Sequence, residues 1–146
     1  MFKFLLLFFF TGVSAINSPN PNLLCGKWMS AEKNLEVLVY KDGDIFKAKV
    51  IWFKNEDNSK AMEEWTDKHN PDPVLRDRKL IGMDILKNMI YEPKSNSWEN
   101  GKIYEAKSGK EWDASAKIDD KGELKVTGYW HLKFIGKTMT FVRIKE

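Results

Sequence analysis

The sequence predicts an all-β fold, an antiparallel up-and-down β-barrel of about eight strands. Three observations predict it. Two runs alternate cleanly: Phe46, Ala48, Val50 and Trp52 share one side of the stretch 45–53, and Trp112, Ala114, Ala116 and Ile118 share one side of 111–118. A period of two marks a strand with one buried face. Turn signals then recur through the second half at intervals of roughly 8–12 residues, the spacing of barrels and sandwiches. Finally, Gly26-Lys27-Trp28 opens the domain and Thr140-Phe141-Val142-Arg143 closes it. A sheet that shuts on itself brings these ends together. The indole of Trp28 then lies near the barrel floor, with the planar, weakly hydrated guanidinium of Arg143 on its face.

The elements follow in order. Residues 1–15 carry Lys3, a continuous apolar run from Phe4 to Phe10, and the small residues Ser14 and Ala15. This is the pattern of an export signal, too short to span a bilayer, and cleavage is expected after Ala15. The protein is therefore expected to be periplasmic or secreted. Residues 16–24 read as an extended leader, and 25–146 as the barrel domain. Export implies an oxidising compartment, yet Cys25 is the single cysteine, so no internal disulfide is available. Bulky Leu24 and the polar stretch 17–22 argue against a lipid-anchored cysteine, and Cys25 is expected to be a small buried hydrophobe.

Leu35 to Tyr40 is rich in branched residues, and Asp42-Gly43 is a hairpin signal. The stretch 45–53 is the next strand. Residues 54–79 break the rhythm. Ala61 to Trp65 suits a short helical turn, and Asp72-Pro73 is a good helix start, because the carboxylate caps free N–H groups and proline fits the first position. A connection this long on a small barrel suggests function. Leu80 to Tyr91 fits both a helical face and alternation, and strand is favoured. Asn96 to Gly101 reads as a turn, with Trp98 and Ile103-Tyr104 in strand. Ser108-Gly109 and Asp120-Lys121-Gly122 turn the chain again. Leu124, Val126, Gly128 and Trp130 form an inner face, and Met139, Phe141 and Arg143 another.

These residues carry a resemblance. Gly26-x-Trp28 with a late Arg143 looks like the signature of the calycins, the lipocalins and avidins. A closer likeness covers most of the domain. Gly26-Lys27-Trp28, Asn70-Pro71-Asp72-Pro73-x-Leu75-Arg76-x-Arg78, Gly101-Lys102-Ile103-Tyr104, Leu124-Lys125-Val126-x-Gly128-Tyr129 and Gly136-Lys137-Thr138 resemble the secreted bacterial family of domain of unknown function 2147 (DUF2147). The departures are Lys79 in place of proline, Glu105-Ala106 in place of Asp-Pro, and Phe141 in place of Trp. The lipocalin Thr-Asp-Tyr motif is absent, since Thr66-Asp67 runs into Lys68. The resemblance implies a lipocalin-like barrel and supplies no activity.

Composition narrows function further. The 146 residues suit one core, and 42% hydrophobic with 31% charged is ordinary for a globular chain. A net charge of +3 with scattered lysines gives no nucleic-acid patch. His69 and His131 are the two histidines and lack metal-ligand spacing, so no metal and no cofactor are expected. There is no nucleophile elbow and no phosphate loop. No catalytic residue is assigned, and the chain is expected not to be an enzyme.

The predicted barrel lining mixes Phe46, Trp52, Trp112, Trp130 and Phe141 with Ala48, Ala114, Ala116 and Gly128. An eight-stranded barrel either fills its interior or holds one small molecule. One expectation is an apolar or amphipathic ligand in the lumen, with the connection 66–79 as a lid. There Asp72, Arg76 and Arg78 stand at one mouth, either gripping an anionic head group or pairing with local aspartates. The other expectation is a packed barrel acting as an envelope scaffold through exposed aromatics, for which Trp65, Trp98 and Tyr104 are the candidates. Either way a monomer with no membrane span is expected.

Overall fold

The computed structural model describes residues 19–145, so the expected export signal and the start of the leader lie outside the described residues. Eight strands form one closed barrel in sequence order. They are β1 (Gly26–Ser30), β2 (Leu35–Asp42), β3 (Ile45–Phe53), β4 (Asp84–Glu92), β5 (Ser97–Glu105), β6 (Lys110–Ile118), β7 (Leu124–Tyr129) and β8 (Lys137–Arg143). Each strand pairs antiparallel with the next. The ring shuts between β1 and β8, where Trp28 faces Arg143 and Ser30 faces Phe141. Short 3-10 turns occupy Pro21–Leu24, Met62–Glu64, Pro73–Leu75 and Lys133–Ile135.

One end of the barrel is plugged by the leader. Asn20 caps the turn Pro21–Leu24 by accepting from the Asn22 N–H. Two buried indoles then bind its carbonyls: Trp28 Nε1 donates to Leu24 O at 3.0 Å and Trp98 Nε1 to Pro21 O at 3.2 Å. Arg143 lies 4.2 Å above the Trp28 ring and donates to the carbonyls of Leu23 and Cys25. A Cβ on Gly26 would stand 2.9 Å from that guanidinium, and Gly26 also has φ 128, so glycine is needed here. Cys25 is partly buried against the same core, and burial pushes its thiol pKa up.

Above the plug the interior is filled. Trp28, Val37, Val39, Phe46, Ala48, Leu86, Met89, Trp98, Ala114, Ala116, Leu124, Val126 and Phe141 form one buried cluster. Phe46 meets Trp98 edge-on at 6.4 Å. Large rings thus interdigitate with alanines, the packed solution open to a small barrel.

Three local departures from the sequence pattern have one cause, an extra residue in a strand. A bulge at Glu36/Val37 sets Val50 against Val37 but Trp52 against Glu36. Leu35 and Val37 pack on the core, so Glu36 and its partner Trp52 face outward, while Phe53, opposite Leu35, takes the inward place. In the ambiguous stretch 80–91, the strand begins at Asp84. Asn88 has φ 60 and puts the core residues Leu86 and Met89 three apart, which mimics helical spacing. Of the expected turn at 96–101 only Asn96 (φ 49) is turn: β5 begins at Ser97 and runs through the rest, bulged beside Asn100 (φ 62). Asparagine tolerates this conformation better than most residues, so it marks bulges as well as turns.

Candidate functional site

The end opposite the plug carries the longest loops. Its main feature is the connection 54–83, and that connection is organised by one carboxylate that the sequence did not single out. Asp67 is fully buried. Tyr104 Oη donates to its Oδ1 at 2.6 Å, while Asn70 Nδ2 and Arg78 Nη2 each donate to Oδ2 at 2.8 Å. Burial pushes the Asp67 carboxyl up, but these three donors outweigh it and hold the pKa below the ordinary carboxylate value. Conversely, burial and the bond to Asp67 push the Tyr104 phenol up to about 12. The backbone supports the same fold, with Asp67 N–H donating to Arg78 O at 2.8 Å and a β-bridge joining Thr66 to Lys79.

The connection also presses on the hairpin between β5 and β6. A Cβ on Gly109 (φ 70) would lie 2.0 Å from the His69 carbonyl oxygen, so glycine is required for this approach. Asp72 caps the turn Pro73–Leu75 by accepting from the Val74 N–H at 3.0 Å. Arg76 Nε donates to Asn70 O at 2.8 Å. Asp72 and Arg76 therefore hold the connection together. Arg78 has two surroundings: it pairs with Asp67 and also lines a cleft.

That cleft, about 330 Å³, lies outside the barrel between the connection and the wall of β4–β6. Asn70, Pro71, Leu75, Arg78, Lys87 and Tyr104 line it, with Asp84, Gly109 and Glu111 completing the rim. Its volume falls in the range of small-molecule sites. Lys87 pairs with Glu111 at 3.1 Å, and Asp84 accepts from Tyr40 Oη at 2.7 Å. A second groove, about 440 Å³, runs over the outer faces of β5–β8 and is lined by Ser97, Ser115, Thr127, Thr138, Lys125 and Lys133, among others.

The predicted lining residues separate. Phe46 and Phe141 are buried core. Trp52 faces outward. Trp112 is half-buried near the open end, opposite Ile103. Trp130 lies one residue beyond β7, is 63% exposed, and meets Trp112 edge-on at 6.1 Å. The three aromatics expected on the surface are not there: Trp98 is buried, Tyr104 is bound to Asp67, and Trp65 is half-buried against Phe53 at 6.4 Å. Trp65 Nε1 is buried and has no acceptor among the described residues.

Among the described residues no group of three His, Cys, Asp or Glu is placed to hold a metal ion. Among the same residues no helix is long and apolar enough to cross a membrane.

The comparisons agree with this architecture. A family described as "Uncharacterized protein conserved in bacteria (DUF2147)" matches residues 26–143, the span of the closed barrel. The chain belongs to the DUF2147 family. No curated protein matches it. A solved structure that it resembles is described as "Protein HP1028 from the human pathogen Helicobacter pylori belongs to the lipocalin family". The two chains are 28% identical, 84% of each is covered, and the TM-score is 0.70. The DUF2147 barrel is thus lipocalin-like, an architecture that typically binds and does not catalyse.

Proposed function

We propose that this DUF2147 protein is an exported, monomeric, non-enzymatic binding protein. It takes a small amphipathic molecule with an anionic head group. The head lies in the cleft beside Arg78 and Lys87, and the apolar part lies against Leu75 and Pro71. The observation that supports this reading is the contrast between a filled lumen and an outer cleft built on the buried Asp67. Arg78 is held at Asp67 before any ligand arrives, so little side-chain entropy is lost on binding. Lys87, paired with Glu111 across the rim, adds a second cation, and a carboxylate or phosphate that takes the place of that partner suits both. The ligand's place therefore shifts from the lumen to the connection, where Asp72 and Arg76 keep structural duties and Arg78 carries the contact. Cleavage after Ala15 and release from the membrane are part of the same proposal.

Native mass spectrometry of the protein purified from its own bacterium tests this. A retained small-molecule adduct is expected, reduced in Arg78→Ala and in Lys87→Ala, the second of which leaves the Asp67 network intact. A bare wild-type mass, or an adduct that both variants keep in full, overturns the cleft.

A further inference from the structure

The loop 130–136 that joins β7 to β8 has no part in the cleft. At His131 the backbone has φ 66, and Leu132 N–H donates back to Trp130 O at 2.8 Å, which makes a sharp turn. Lys133 pairs with Glu99 on β5, so the loop is drawn outward over the wall and not across the barrel mouth. Among the described residues of the loop, Trp130 at 63%, Leu132 at 49% and Ile135 at 69% exposed leave large apolar side chains in solvent. His131 and Lys133 stand between them in sequence, and Lys137 follows two residues after Ile135. From Leu124 to Lys145 the chain has five basic residues and no acidic one, in a protein that otherwise mixes both signs.

We infer that this loop docks the barrel on an anionic lipid surface, with Trp130, Leu132 and Ile135 entering the headgroup boundary and Lys137 meeting the phosphates, while Lys133 stays on Glu99 and holds the loop in place. Tryptophan and branched aliphatics beside lysines are the composition of interfacial anchors. A protein partner fits less well. One seven-residue loop offers far less than the roughly 800 Å² per side of a stable protein interface, and the same shortage counts against a second copy of this chain. Insertion into a fluid interface needs no complementary surface. Docking at this edge turns the open end, including the half-buried Trp112, toward the bilayer. The inference stands independently of the cleft.

The test is co-sedimentation of the chain lacking residues 1–15, which keeps the whole barrel closed within 26–143, with lipid vesicles. Phosphatidylcholine vesicles containing about one third phosphatidylglycerol are compared with pure phosphatidylcholine. Sedimentation with the anionic vesicles, weaker with neutral ones and reduced by high salt, is expected. Trp130→Ser with Ile135→Ser lowers the anionic-vesicle partition about tenfold or more, as does Ile135→Ser alone to a smaller degree. Val142→Ser, at a half-exposed position on the β8 wall, leaves it unchanged. No sedimentation with anionic vesicles overturns the inference, and so does a double variant that folds and binds as wild type. A wild-type dimer in light scattering that the double variant abolishes also overturns it, because a second copy would then cover the loop.

Discussion

At the plugged end of the barrel the strands are joined by loops of two, four and five residues, and a capped turn is sealed in by Trp28, Trp98 and Arg143. At the open end the loops run to thirty residues at 54–83 and seven at 130–136. Among the described residues, five of the eight large apolar side chains left exposed, Val74, Leu75, Trp130, Leu132 and Ile135, belong to those two loops. Buried rings and short turns maximise apolar burial per ordered residue and minimise loop entropy. Long loops with exposed apolar tips do the reverse, and a scaffold keeps them where they serve recognition. One end therefore carries stability, and the other is where binding is proposed.

Substitutions that break this contrast have graded effects. Trp28→Ala removes a fully buried ring and the surface on which Arg143 lies. It is expected to cost about 3–5 kcal/mol in chemical denaturation, enough to threaten the fold. An unchanged melting temperature would mean that the plug does not hold the barrel. Asp67→Asn acts at the other end and weakens three hydrogen bonds, for an expected cost of about 2–3 kcal/mol.

The pH profile sharpens the Asp67 prediction. The folded pKa of Asp67 lies below its unfolded value, so its contribution is complete above about pH 4 and is lost as pH falls through the folded pKa. The Asn variant should show a flatter acid limb than wild type. For Tyr104, with a folded pKa of about 12, the sign reverses. Its contribution is complete below about pH 10, the unfolded value, and fades as pH rises toward 12. Equilibrium unfolding across pH measures both limbs. The smallest effect belongs to Ile135→Ser, which should change stability by no more than about 0.5 kcal/mol while altering vesicle binding.

The plugged end was far more legible in the sequence than the open one. Trp28 and Arg143 are large, chemically distinctive groups at the chain's two ends, and strand alternation in 45–50 and 112–118 points straight to the core. Alternation misleads where a strand is bulged, which is why Trp52 reads as lining yet faces out. Trp130 continues the rhythm of β7 by sequence, but the strand has already ended at Tyr129. Asp67 had no local signal at all. It sits in a polar stretch, and its partner Tyr104 is 37 residues away, a pairing that only the closed barrel creates. The local pairing expected for the arginines took a different form, with Asp67 as the partner of Arg78 and a backbone carbonyl as that of Arg76.

Native-state amide hydrogen exchange tests the division between the two ends most directly. The amides of Trp28, Val39, Phe46, Leu124 and Phe141 are expected to exchange only through global unfolding, and those of residues 70–78 and 131–136 through local openings of much lower free energy. Equal protection at both ends, or protection that is strongest in the two long loops, would contradict it.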